Sequence, residues 1–336
     1  MKVVHAVTSY TLSMSRTVVG VLRGGPSHEY DVSLETGAAI LNALPEEEYR
    51  PFDILIDKQG RWHHFGRPMD PMRVLTGIDV VVNGLHGAYG EDGTVQRLLE
   101  RAGVAYTGSD PIAAAIAMNK PRTKEIARAS GLLVPRGVSF SLPSEEDSWN
   151  MTQRVFREFA PPYVVKPANS GSSVGVSLAP DLHALNTTLA DALDAYQTVL
   201  VEEYIPGHEA TVGVIDDFRN HDVYALPPIE IQLDNRPIFD YTAKYSPHTR
   251  KLCPSTFTQH IKHELENAAR IAHLALGLAH YSRSDFRVHS SGAVYFLEAN
   301  ALPGLTEHSL IPRALREVGS SLREFLKHII DKALRR

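Results

Sequence analysis

The chain reads as an α/β protein of about two or three lobes, the first of them a doubly wound parallel sheet. Three observations predict this. Its 336 residues are more than one ordinary core holds. Apolar strands, Gly-rich turns and helices alternate through the N-terminal third, as in parallel sheets covered by helices. Near the C-terminus, Arg283-Ser284-Asp285 and Leu297-Glu298-Ala299-Asn300 lie on two apolar-flanked segments joined by a turn at Ser290-Ser291-Gly292, which reads as an antiparallel hairpin.

The elements follow in order. Thr17 to Leu22 is a nearly continuous apolar run, expected to be a buried parallel strand, and Arg23-Gly24-Gly25-Pro26-Ser27 turns the chain. Ser33 opens a helical pattern that reaches Leu44 and stops at Pro45. Val80 to Asn83 is a second buried strand, followed by a turn containing His86, Gly87 and Gly90, then by a helix from Thr94 to Arg101. Asp110-Pro111 reads as a helix cap with proline at the first position, and Lys120-Pro121 starts another helix ending near Gly131. Tyr163 to Lys166 and Val199 to Ile205 are strands of a second lobe. In the third, a helix presents Ala268, Ala269, Ile271, Ala272, Leu274 and Ala275 as its apolar side. The chain closes with an amphipathic helix carrying Leu322, Phe325, Leu326, Ile329, Ile330 and Ala333. The expected division is an extension over 1–16, an N-terminal lobe over 17–112, a central lobe over 113–204 and a C-terminal lobe over 205–336.

Composition narrows the class. Hydrophobic residues are 43% and charged residues 22%, ordinary for a soluble globular protein, and a net charge of −5 gives no footprint for nucleic acid or an anionic membrane. No apolar run approaches a membrane span, and the first 16 residues are too broken by polar residues for a secretory signal. The single cysteine, Cys253, excludes an internal disulfide and fits a reducing cytoplasm; it reads as a partly buried loop residue and not as a nucleophile.

Two stretches carry chemistry. Asp285, Glu298 and Asn300 would gather side-chain oxygens at one end of a sheet, a set suited to a hard divalent cation; a surface hairpin with solvated acids is the alternative. Lys166-Pro-Ala-Asn-Ser-Gly-Ser-Ser-Val-Gly175 joins a lysine to a turn of small residues whose backbone N–H groups can approach phosphate, although a Gly/Ser turn alone is weak evidence. Glu202-Glu203-Tyr204-Ile205 ends a strand with an acceptor-rich edge that would suit an adenine amino group and ribose hydroxyls, or would simply be solvated.

Together these segments resemble the ATP-grasp superfamily. Leu22-Arg-Gly-Gly-Pro-Ser-His-Glu-Tyr-Asp-Val-Ser-Leu34, Gly84-Leu-His-Gly-Ala-Tyr-Gly-Glu-Asp-Gly-Thr94, Met118-Asn-Lys120, Ala243-Lys-Tyr245 and Leu297-Glu-Ala-Asn-Ala-Leu-Pro-Gly-Leu-Thr-Glu-His-Ser-Leu-Ile-Pro312 resemble the D-alanine–D-alanine ligase family, in the family's order, across residues 17–330. The resemblance implies a three-lobed ATP-grasp architecture, a doubly wound lobe plus two α+β lobes clasping ATP. It implies ATP-dependent joining of two D-alanines through an acyl phosphate for peptidoglycan synthesis, in a cytoplasmic homodimer. It also implies two Mg²⁺ ions, with Mn²⁺ as a substitute.

The resemblance further implies roles. Lys120, Lys166 and Lys244 hold the phosphates under a loop containing Ser172 and Ser173. Glu202, Glu203, Tyr204, Ile205 and Glu209 line the adenosine site. Asp285, Glu298 and Asn300 bind the metal ions. Glu29 pairs with the first substrate's ammonium and His86 stands beside its carboxylate. Arg283 and the Gly304 N–H stabilise the oxyanion, Ser309 and Leu310 meet the second carboxylate at a helix start, and Tyr245 closes the lid through Ser172 to Glu29. Glu29 could instead serve the helix dipole, His86 a turn and Tyr245 packing. His63-His64 is assigned no role.

Three features depart from the family's common pattern: the first 16 residues, Ala301 after the asparagine, and the composition of the lid at 246–254. Another ATP-grasp carboxylate–amine ligase is the alternative function. A catalytically silent nucleotide-binding protein would be expected to lack a lysine or a metal ligand, and a Rossmann oxidoreductase fails for want of G-x-G-x-x-G opening a helix. Because residues 1–16 have little to bury, a chain beginning at Ser15 is expected to keep its melting temperature and activity; a large loss in either would show that the extension packs on the core.

Overall fold

The computed structural model describes residues 16–169, 171, 174–232 and 249–335. Ser172, Ser173, Lys244, Tyr245 and the start of the lid, 246–248, lie outside the described residues.

The first sheet is built around β1 (Thr17–Gly24), in which Val19, Val21 and Leu22 are fully buried. It runs parallel to β2 (Tyr49–Ile56) on one side and β5 (Val80–Asn83) on the other. Antiparallel β3 (Trp62–His64) and β4 (Arg67–Pro68) extend the first edge, and parallel β6 (Ala105–Tyr106) extends the second. The chain therefore reverses its winding between β1 and β5. In such sheets the loops leaving the strand ends at the reversal open a crevice. These are the loops that carry Glu29 and His86.

Helix α1 (Tyr30–Ala43) begins earlier than the expected start at Ser33. Ser33 is not a cap: its hydroxyl accepts from Gly24 N at 2.9 Å and donates to the Gly84 carbonyl at 2.8 Å, pinning the helix to the ends of β1 and β5. Gly24 holds φ +90° with Ile56 O where a side chain would begin, so only glycine fits this turn. Helices α2 (Pro71–Val74) and α3 (Thr94–Ala102) complete the lobe.

The second sheet is antiparallel, in the order β7 (Gly137–Ser141), β10 (Thr198–Glu203), β8 (Tyr163–Pro167) and β9 (Ser177–Ala179). Helices α6 (Ser148–Glu158) and α7 (Leu182–Tyr196) pack against it. β10 stops at Glu203, so Tyr204 and Ile205, expected within the strand, sit just beyond it.

The third sheet runs β14 (Arg250–Leu252), β13 (Ile229–Gln232), β11 (His208–Phe218), β15 (Tyr281–Val288) and β16 (Val294–Asn300), with β12 (His221–Ala225) also on β11. The β15–β16 pair is the hairpin read from the sequence. Helices α4 (Pro111–Met118) and α5 (Lys120–Ala129), capped by Asp110 and Asn119, share a core with this sheet and with α8 (Gln259–Ala275). On α8, Ala268, Ala269 and Ala272 are buried as expected, but Leu274 is 62% exposed. Two residues past Ala272 is about 200° around the helix, on the solvent side.

Helices α9 (Leu310–Glu317) and α10 (Leu322–Ala333) close the chain. Phe325, Leu326, Ile329 and Ile330 of α10 are fully buried in one core that contains Val19 and Val80 of the first sheet and Ile215 and Tyr281 of the third. The first and third lobes are thereby fixed to each other. Two hydrogen bonds add to this: Gly108 N donates to His280 Nδ1 at 3.2 Å and Ala279 N to Ser109 Oγ at 3.1 Å. Phe325 meets the Tyr281 ring edge-on at 5.1 Å. Phe325→Ala is expected to cost about 3–5 kcal/mol in urea unfolding; a loss below about 1 kcal/mol would show that α10 is not what joins the lobes.

Candidate active site

A cleft of about 940 Å³ lies between the second and third sheets. One end is apolar, with Val164, Val176, Ile205 and Leu297, and suits a flat ring system. The other end is charged. Lys166, at the end of β8, meets Glu202 of β10 across the antiparallel pair. The second Glu202 oxygen lies 2.5 Å from Lys124 Nζ on α5. Burial raises the Glu202 carboxyl, but Lys124 and Lys166 more than offset this and hold it below its usual range. Burial also lowers the Lys124 ammonium, to about 7, against the opposing pull of Glu202.

Helix α5 carries a second lysine one turn earlier. Lys120 Nζ lies 3.3 Å from Glu298 Oε2, and Lys120 N donates to the Ala168 carbonyl at 2.9 Å, docking the helix start on the loop after β8. Burial raises the Glu298 carboxyl; Lys120, Lys166 and Arg283 bring it below the ordinary range.

The hairpin delivers the groups read from the sequence. Asp285 stands in register with Glu298, and Arg283 with Asn300. Arg283 grips Asp285 with both arms of its fork, at 2.9 and 2.7 Å, and Thr211 Oγ1 donates to the same carboxylate at 2.6 Å. Burial opposes the Arg283 charge, but Asp285 raises its pKa well above the usual value, so it stays cationic. Asn300 Oδ1 accepts from Leu302 N at 2.8 Å, fixing the amide. Two carboxylates and an amide oxygen on neighbouring strands, facing a lysine-lined cleft, fit a hard divalent cation held jointly with phosphate. Among the described residues no group of three or more His, Cys, Asp and Glu side chains forms a metal cage on its own.

A second cleft, of about 1110 Å³, opens between the first and third lobes, and Ile231, Arg283 and Asp285 line both. Glu29 and His86 enter it from the two loops at the sheet reversal. Ser27 Oγ joins those loops, donating to the His86 carbonyl at 2.5 Å and accepting from Glu29 N at 3.1 Å. His86 is 5% exposed; its Nε2 lies 2.8 Å from Thr36 Oγ1 and its Nδ1 3.5 Å from Glu91 Oε1. Opposite stand Gly304 and Ser309: a methyl group on Gly304 would lie 3.0 Å from Ser309 Oγ and 3.8 Å from His86 Nε2. Ser309 is the residue before α9, but its hydroxyl makes no cap; it meets Thr306 Oγ1 at 2.8 Å, and Leu310 lines the cleft beside it.

Most of the predicted residues thus converge, but three acids do so differently. Glu202 was expected to face adenine, yet it is buried with both oxygens directed to lysines. Glu203 borders the cleft with its carboxylate held by Arg136 at 2.7 Å. Glu209 is held by Arg287 at 2.8 Å, and Arg287 also bonds the Ile205 carbonyl and the Tyr204 hydroxyl. Sequence reasoning missed Lys124, Arg287, Glu91 and Thr211. Lys124 had a signal, since it lies one helical turn after Lys120. The others become visible only through strand pairing and loop closure. Cys253 is half-buried in the turn after β14, and burial pushes its thiol up to about 11, consistent with an inert side chain.

Two α+β lobes closing on a lysine- and carboxylate-lined cleft, behind a doubly wound lobe with its own cleft, define an ATP-grasp protein. The sequence matches family profiles described as D-ala D-ala ligase N-terminus over residues 18–73 and 66–109, and D-ala D-ala ligase C-terminus over residues 126–331. It is 38% identical over 324 residues to a D-alanine–D-alanine ligase of Geobacter sulfurreducens, covering 95% of each chain. A similar ligase of Aquifex aeolicus is 36% identical, over 93% of this chain and 99% of that one. Among solved structures, D-alanine–D-alanine ligase from Bacillus anthracis complexed with ATP superposes with a TM-score of 0.80 at 28% identity, over 95% of this chain and 98% of that one. VanG D-Ala:D-Ser ligase from Enterococcus faecalis gives 0.83 at 26%, over 95% and 99%. The chain belongs to the D-alanine–D-alanine ligase family.

Proposed function

We propose that the chain joins two D-alanines to D-alanyl-D-alanine at the expense of ATP, for peptidoglycan synthesis and so for cell-wall formation and cell shape. The observation that carries this reading is the meeting of two clefts at Arg283 and Asp285. One suits a nucleotide and the other has room for two small zwitterions. The γ-phosphate passes to a carboxylate oxygen of the first D-alanine, and ADP leaves. The second D-alanine's neutral amine attacks the acyl carbon, and the C–O bond to phosphate breaks, releasing phosphate and a proton. No nucleophile of the chain takes part; positioning and charge do the catalysis.

Lys120 and Lys166 hold phosphate oxygens, joined by Lys244 and the backbone around Ser172 and Ser173. The adenosine site is lined by Glu202, Glu203, Tyr204, Ile205 and Glu209. Glu29 pairs with the first ammonium, and His86, fixed by Thr36 and Glu91, stands beside the carboxylate. Arg283 and the Gly304 N–H receive the oxyanion, and its bond to Asp285 keeps the guanidinium at the junction of the clefts. Ser309 and Leu310 take the second carboxylate, and Tyr245 belongs to the lid. Asp285, Glu298 and Asn300 would hold Mg²⁺, or Mn²⁺ in its place, which when bound offsets the repulsion between carboxylate and triphosphate. Family membership supports a cytoplasmic homodimer. Among the described residues no helix is long and apolar enough to cross a membrane.

Glu298→Gln is expected to lower turnover roughly a hundredfold or more, since a neutral amide gives up several kcal/mol of charge stabilisation, with the folded state retained by circular dichroism. Near wild-type turnover in Mg²⁺ would remove Glu298 from the metal set.

The activity itself is tested by phosphate release from ATP across D- and L-alanine, D-serine and D-lactate, with product analysis at pH 6 and pH 8. D-Alanine alone should drive phosphate release, with dipeptide as the main product at pH 8, where more of the attacking amine is neutral. Preferential turnover of an L-amino acid would favour a different dipeptide ligase. Dominant ester from D-lactate at both pH values would overturn the acceptor assignment.

A further inference from the structure

Lys124 has no place in the chemistry above, yet it is one of the most buried charges in the molecule, 4% exposed. It does not line the nucleotide cleft; Lys166 and Glu202 do. It stands behind them, its Nζ 2.5 Å from Glu202 Oε1, while Lys166 takes Glu202 Oε2. One carboxylate thus bridges a lysine that faces the cleft and one that does not.

This arrangement has an electrostatic consequence. An isolated Lys166–Glu202 pair is neutral and offers an incoming triphosphate little net attraction. A charged Lys124 shares the carboxylate, so the three groups together carry one positive charge, and the member facing the cleft is Lys166. In a water-poor site such a difference counts for more than at the surface. We propose that Lys124 is a positioning residue for nucleotide binding: by sharing Glu202 it leaves Lys166 with net positive charge and a fixed orientation for the triphosphate. This rests on the nucleotide reading of the cleft.

The groups facing Lys124 agree with this. Glu202 on β10 favours its charge, Lys166 on β8 opposes it, and Glu298 on β16 favours it from further away; Lys120 is one turn earlier on its own helix. Burial dominates and lowers the ammonium to about 7. At pH 8 the unliganded Lys124 is therefore mostly neutral. Bound triphosphate favours the charged form and raises its pKa, so binding draws a proton from solution.

The test is titration calorimetry of the full chain with MgATP at pH 8, in two buffers of different ionisation heat, with adenosine as the phosphate-free control. The wild type is expected to take up a fraction of a proton on binding ATP. Lys124→Arg, which is charged throughout, is expected to take up none. Lys124→Met is expected to take up none and to bind ATP about tenfold more weakly, the loss of one charge-assisted contact, with adenosine affinity changed less than twofold. Wild-type ATP affinity in folded Lys124→Met, equal weakening of ATP and adenosine, or unchanged proton uptake in either variant would overturn the inference. If Lys124→Met does not fold, the proton count of Lys124→Arg against wild type decides. Failure of the wild type to bind ATP would overturn the nucleotide reading itself, which separates that failure from this one.

Discussion

A site that holds a triphosphate needs positive charge where water is scarce, and buried charge is costly unless it is paired. The buried charges around the clefts are arranged to meet that constraint. Lys166 and Lys124 share Glu202, Lys120 meets Glu298, Arg283 is clasped by Asp285, and Arg287 holds Glu209. Each cation comes with a carboxylate, from a neighbouring strand for Lys166, Lys124, Lys120 and Arg287 and from its own strand for Arg283. The pairs hold the side chains in fixed positions, so little reorganisation is needed when phosphate arrives.

Pairing of this kind demands that separate lobes be held to within a fraction of an ångström. On the antiparallel β8–β10 pair Lys166 stands opposite Leu200 and reaches Glu202 diagonally, two residues along the same face, and the β15–β16 register sets Asp285 opposite Glu298. Helix α5 then spans two lobes: its apolar side belongs to the third sheet's core, while Lys124 reaches the second sheet. The C-terminal helix performs the corresponding task for the first lobe. Its phenylalanine, leucine and isoleucines fill a core common to the first and third sheets, which keeps His86 near Gly304 and Ser309. Stability of the core and geometry of the substrate cleft are the same problem here.

Much of this was legible in the residues. Continuous apolar runs marked β1 and β5, Asp110-Pro111 and Lys120-Pro121 marked helix starts, and the hairpin motif located Asp285, Glu298 and Asn300 together. Local chemistry explains why: burial on both faces needs apolar runs, caps need short polar side chains, and a turn needs glycine. Two readings differ from the structure where a residue has two possible duties. The helical pattern opens at Ser33, but that serine lies inside α1 and bonds two strand ends, and the acceptor-rich edge points Glu202 at adenine, but its carboxylate is buried between lysines. A serine or a glutamate has the same local preferences in either duty, and its partners lie far away in the chain.

The sequence by itself determined the alternation of strands and helices in the doubly wound first lobe, the closing helix, and many of the groups that meet in the clefts, because each depends on periodicity and on short motifs. Only the tertiary structure decided how those groups are paired. That Lys124 backs Glu202, that Arg287 rather than solvent holds Glu209, and that the two clefts share Arg283 and Asp285 all arise from contacts between distant segments. The physical reason is that the charge state and orientation of a buried side chain are set by the partners that fold against it, and those partners are chosen by the packing of whole sheets.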